Sequence, residues 1–194
     1  MFYDVCQCFV LCLWEEVLRC SFDRTDSLFY CIFVLGIVWQ KVQTVLGDKT
    51  SDDLGFTLVH EHLTAGFPGY EWDNTSFDPE KELASAVVNL KEIKSLSVSS
   101  FVVPCQMELG RGPEFVAECA DKSGSNVIIV TGLSNEALGI LPHFRSLSAD
   151  DIAQVFVREI TEGIGNTGIK AGFIKPATGG IPDLPETAIS IGVH

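Results

Sequence analysis

The sequence is short of positive charge: 13 lysines and arginines stand against 26 aspartates and glutamates, a formal net charge of −13. No basic patch stands out, which argues against nucleic acid or an anionic membrane surface as a partner. Long apolar runs are lacking too. Residues 28–39 are apolar, but twelve residues are short for a spanning helix, which needs about 20. The start, Met1-Phe2-Tyr3-Asp4, has no positive n-region of a secretory signal, and Glu15 and Glu16 soon interrupt the apolar pattern. Cysteine is sparse through the body of the chain. Five of seven (Cys6, Cys8, Cys12, Cys20, Cys31) fall in the first 31 residues, leaving Cys105 and Cys119. That excludes a disulfide framework for the body, which reads as reduced and cytoplasmic. The early cysteines lack Cys-x2-Cys pairs and nearby histidines, so a zinc ribbon is a poor fit.

Residues 1–41 therefore read as an atypical apolar, Cys-rich extension. A buried helix, an interfacial segment and sequence outside the natural domain are open alternatives for its apolar run, and its length favours an accessory extension over a membrane anchor. Disorder is excluded for most of the rest by 46% hydrophobic and 20% charged residues.

From Lys41 the pattern is regular. Val42–Gly47 reads as a short strand stopped by glycine, Thr50–Asp53 as a turn, and Phe56–His62 as a second strand. Asp78-Pro79 opens a helix whose apolar face is Leu83, Ala86, Val87, Leu90 and Ile93. A strand at 100–104 follows, then a helix from Pro113 to the stop at Gly124, then the apolar strand Asn126–Gly132. After a loop with Pro142, Ser148 starts a helix with Ile152, Val155, Phe156 and Ile160 as its stripe, and Gly168–Lys175 reads as a strand. Strands alternating with helices predict βαβ units and a parallel sheet.

His60 and His62 share one side of a strand under period-two alternation, with Glu61 opposite. Two imidazoles from one strand make half of a site suited to zinc or a similar divalent ion. A bare His-x-His is also what two ordinary strand-end histidines look like. Lys175 ends another strand, and in a (β/α)8 barrel that end carries the active site.

Val42–Gly47 followed by Leu54–Leu63 resembles the opening of the phosphotriesterase family, within the amidohydrolase superfamily. Leu109-Gly110-Arg111, Val130–Leu133, Glu159–Ile164 and Thr167–Lys175 match in the same order. The resemblance covers roughly residues 42–180. It implies a TIM-type (β/α)8 barrel, of which residues 42–194 hold about the first four βα units. It also implies two divalent metal ions, zinc by preference, with His60 and His62 on one ion and a carboxylated Lys175 bridging both. A hydroxide shared by ions about 3.5–4 Å apart would attack a phosphotriester or lactone whose oxygen the second ion polarises. A small-molecule ester substrate and a homodimer are implied as partners.

Several features depart from the pattern. A whole barrel takes about 250 residues, and the two histidines and the aspartate expected on strands five to eight are outside this sequence. Pro182–Ile189 outlines a helix, and Ile191–His194 resembles the entry to strand five. Lys175-Pro176 is tolerable only at a strand terminus. Ser134 stands where lactone-cleaving members often carry an aromatic residue, which weakens a lactone assignment. Gly110-Arg111-Gly112 is read as a loop with a solvated or structural arginine, a substrate contact being the alternative; Thr131 and Ser134 are read as lining a strand end, and Tyr70 and Trp72 as cover for the site or packing. The competing reading is a catalytically inactive fragment or interaction protein that retains a partial metal site.

Overall fold

The computed structural model describes residues 41–63, 66, 69–134 and 139–175. The early cysteines, the run 28–39 and the elements expected after Pro176 lie outside the described residues.

The most apolar strand lies inside the sheet. Residues Asn126–Thr131 (β5) run parallel to Val98–Val103 (β4) on one side and Phe173–Ile174 (β6) on the other, with Phe56–Leu58 (β3) beyond β4. The order β3-β4-β5-β6 makes a curled parallel sheet, half of a (β/α)8 barrel. Alternation sorts the strand side chains onto two faces. Val103, Val127 and Ile129 pack with Val116 and Ala120 on the helix side. Val102, Ile128 and Val130 form the other face with Phe173, Val42 and Leu54. Both faces are covered, which is why β5 reads as a continuous apolar run.

Helix α3, Pro79–Ser95, links β3 to β4. Its start follows from residue chemistry: Asp78 accepts from the backbone N–H groups of Glu80 (3.1 Å) and Lys81 (3.3 Å), and Pro79 stands where no donor is needed. The anticipated face is the buried one, with Ala86, Val87 and Leu90 against Phe101 and Cys119. Pro113–Ser123 (α4) links β4 to β5. Ala149–Thr161 (α6) leads to β6, opened by a reciprocal Ser148–Asp151 cap and buried through Ile152 and Phe156. Short helices Ser51–Leu54 (α1), Tyr70–Asp73 (α2) and Pro142–Arg145 (α5) occupy stretches that read as turn or loop.

Three strand expectations change. The strand at 42–47 is half of a hairpin, Lys41–Thr44 (β1) returning as Gly47–Thr50 (β2). The hairpin is tied to the sheet by Val45 N–H to the Val127 carbonyl (2.8 Å) and to α6 by the Gln43 side-chain amide, which donates to the Ile160 carbonyl (3.2 Å). It comes so close to the chain before β6 that a Cβ on Gly172 would lie 2.6 Å from the Gln43 carbonyl oxygen; only glycine fits there. Strand β3 stops at Leu58, after a register shift between Phe56 and Thr57. Strand β6 is two residues long, and 164–169, where the expected strand would begin, fold into a turn closed by Ile164 N–H to Ile169 (2.8 Å).

Candidate metal centre

The bend at Val59-His60 removes His60 and His62 from the strand in which they were expected. Leu58 packs toward the α3 cluster, and unbroken alternation would send His60 to that same side. The bend interrupts that path. Glu61 N–H still reaches the Val102 carbonyl at 3.0 Å, so the segment stays beside β4 as it leaves the sheet. The two imidazoles end up edge to face, their centroids 5.3 Å apart.

Lys175 follows β6 directly. Its N–H donates to the Thr131 carbonyl (2.8 Å) and its Nζ donates to the Pro104 carbonyl (3.1 Å). The next residue along that segment, Cys105, places Sγ 3.0 Å from His62 Nδ1. Residues of the first and fourth parallel strands therefore converge beyond the end of the second. Cys105 was not singled out as a site residue in the sequence. The only available signal was its position two residues past the end of a strand.

Electrostatics set this pole apart. Burial, with the positive charges of His60 and Lys175, holds the His62 pKa below its ordinary 6.5, although much of the residue is exposed. Burial also lowers the Lys175 pKa, against an opposing influence from Cys105. The Cys105 thiol is pushed up to about 11 by burial, with Lys175 pulling the other way. Among the described residues no carboxylate is paired with Lys175.

The donor chemistry suits a divalent ion. His62 is shifted toward the neutral form that ligates, and with Nδ1 engaged by Cys105 its Nε2 is left for a ligand. Among the described residues no group of three His, Cys, Asp or Glu stands ready to hold a metal. Two imidazoles are present, and a lysine such as Lys175 can ligate only after losing its ammonium charge.

Arg111 is not a solvated loop residue. Its guanidinium makes two 2.7 Å bonds to the Glu159 carboxylate and one of 3.2 Å to the Val130 carbonyl, with both side chains about 5% exposed. Thr131 donates to the same carboxylate at 2.5 Å. Thr131 shares the helix side with Val127 and Ile129, which removes it from the metal pole. Ser134 lies in a buried polar spot: its N–H donates to Glu108 Oε2 (3.3 Å), while Glu108 Oε1 and Ser134 Oγ have no hydrogen-bond partner among the described residues. Burial raises the Glu108 pKa. Trp72 is 87% exposed. No helix among the described residues is long and apolar enough to cross a membrane.

Comparison with known proteins agrees with this architecture. Residues 40–190 match the Phosphotriesterase family. An aryldialkylphosphatase of Saccharolobus solfataricus is 34% identical over 129 residues, covering 66% of this chain and 40% of that protein. The organophosphorus hydrolase from Deinococcus radiodurans superposes with a TM-score of 0.72 at 33% identity, over 77% of this chain and 47% of its own. A mutant PTE-like lactonase from the same organism gives 0.71 at 33% identity, over 76% and 48%. The chain spans less than half the length of each of these proteins. The family match spans most of the chain, and the chain belongs to the phosphotriesterase family.

Proposed function

We propose that His60, His62 and Lys175 are the part of a binuclear, zinc-type centre contributed by the first and fourth barrel strands, in a metal-dependent hydrolase of phosphotriesters or lactones. One observation carries the reading: two adjacent imidazoles and a half-buried lysine, with no carboxylate paired to it among the described residues, lie at the C-terminal pole of the sheet. A polar cluster kept for stability alone would be expected to neutralise its charge internally.

His60 and His62 would bind one ion through ring nitrogens, with Cys105 holding the His62 ring. The lowered Lys175 pKa would increase the fraction of neutral amine, the form that takes up carbon dioxide and releases a proton to give an anionic carbamate, a group that would suit divalent ions. Bound divalent ions would supply Lewis acidity toward a phosphoryl or carbonyl oxygen and acidify a water. The names of the relatives support phosphotriester and lactone substrates alike.

The test is zinc content of the purified chain, together with hydrolysis of paraoxon and of a simple lactone, in the parent, His60→Ala and Lys175→Ala. The reading expects zinc that both substitutions deplete and any turnover to fall with it. Zinc content indifferent to both substitutions would contradict it.

A further inference from the structure

Three consecutive residues after β4 touch two members of the metal pole, His62 and Lys175. The Pro104 carbonyl accepts from Lys175 Nζ at 3.1 Å. Cys105 Sγ lies 3.0 Å from His62 Nδ1. Gln106 Nε2 donates to the Lys175 carbonyl (3.0 Å) and to the Leu133 carbonyl (3.1 Å). The segment thus holds Lys175 at both ends, by its amine and by its main chain, with the His62 ring held between. We infer that Pro104-Cys105-Gln106 is a positioning clamp that fixes Lys175 relative to His62, with Cys105 and Gln106 acting through those two residues and not on substrate. The inference rests on the metal-hydrolase reading above.

The need for a clamp follows from the fold. Strand β6 has only two residues and β3 only three, and both candidate ligand segments lie past the strand ends. Neither is held by a regular ladder. By contrast, β4 has six residues, four of them paired to β5, and offers a firm base. Gln106 is almost fully buried, at 1% exposure, and one nitrogen joins the ends of β5 and β6. Gly132 adds a second constraint on the same carbonyl. A Cβ there would lie 2.1 Å from the Lys175 oxygen, and its φ of +131° is poorly open to other residues. A pair of ligands that must share a metal centre tolerates little misplacement.

The test is zinc affinity of the whole chain, by competition with a chromophoric chelator, alongside the carbamate carbon signal after equilibration with 13C-bicarbonate. Variants are Gln106→Met, which keeps length but removes the donors, Cys105→Val, and Cys105→Ser, which keeps a hydrogen-bonding group. Gln106→Met and Cys105→Val should each weaken zinc binding roughly 10–100-fold, the range for partners that orient metal ligands. Cys105→Ser should stay near the parent, and Gln106→Met should also diminish the carbamate signal. If Gln106→Met fails to fold, the Cys105→Val and Cys105→Ser pair decides. Parent-like affinity in the donor-removing variants that fold, while Lys175→Ala abolishes binding, would overturn the clamp alone. No zinc binding that depends on His60 and Lys175 in the parent would overturn the metal reading and the clamp with it.

Discussion

Two polar clusters lie near the same end of one parallel sheet, and they are built in opposite ways. In the Arg111–Glu159–Thr131 cluster the cation faces the carboxylate with two 2.7 Å bonds, and Thr131 and the Val130 carbonyl take further bonding capacity. It is closed and internally neutralised. The His60–His62–Lys175 cluster has three basic groups, a thiol and a carbonyl, and no carboxylate partner for its lysine among the described residues. The closed cluster joins α6 to β5. The open one has no carboxylate paired with its lysine among the described residues.

The largest effect that sharpens this contrast is expected from Glu159→Ala. It leaves the Arg111 guanidinium buried without its anion, which costs about 3–5 kcal/mol, read as a lower urea midpoint. Such a loss can exceed the whole stability of a marginal domain, so expression and circular dichroism are part of the readout. Lys175→Met should move stability the other way. Burial lowers the folded-state pKa of Lys175 below 10.5, so the charged lysine opposes folding at every pH below that folded value. The penalty fades as pH rises from the folded pKa toward 10.5. The variant should therefore unfold at higher urea than the parent near neutral pH, and a destabilised variant would place Lys175 among the closed contacts.

Glu108→Gln tests the third buried charge. Burial raises the Glu108 pKa above its ordinary 4.5. The unfolded chain therefore releases this proton first as pH rises, and stability drains away from about pH 4.5 up to the folded pKa. Glutamine removes that loss, so the variant should gain stability relative to the parent as pH increases from 4 to 7. An unchanged difference across that range would show that Glu108 is already neutralised. The smallest effect is expected from Asp78→Ala, about 1 kcal/mol for an exposed helix cap. It gives the scale of an ordinary contact far from both clusters.

Much of this was readable in the sequence because it depends on local rules. Asp78-Pro79, Pro113 and Ser148 are helix starts by residue chemistry, and the faces of α3, α4 and α6 follow from a 3.6-residue period. The continuous run Asn126–Thr131 announced a strand covered on both sides. Illegible features depend on long-range geometry. Alternation placed His60 and His62 on one side of a strand, but the chain leaves the sheet at Leu58, and a bend carries no period. The glycine at position 47 read as a stop and is the return of a hairpin. Arg111 and Glu159 are 48 positions apart, and no spacing rule joins them. Cys105 and Gln106 became visible only when β4 and β6 were placed on either side of β5.

On the proposed function, a divalent ion completes the open cluster. Urea unfolding of the chain with and without excess zinc tests it most directly, since a ligand that binds only the folded state raises stability by mass action. The prediction is a midpoint that rises with zinc concentration in the parent and in Asp78→Ala, and does not respond in His60→Ala or Lys175→Ala. An equal rise in all four, or none in the parent, would contradict it.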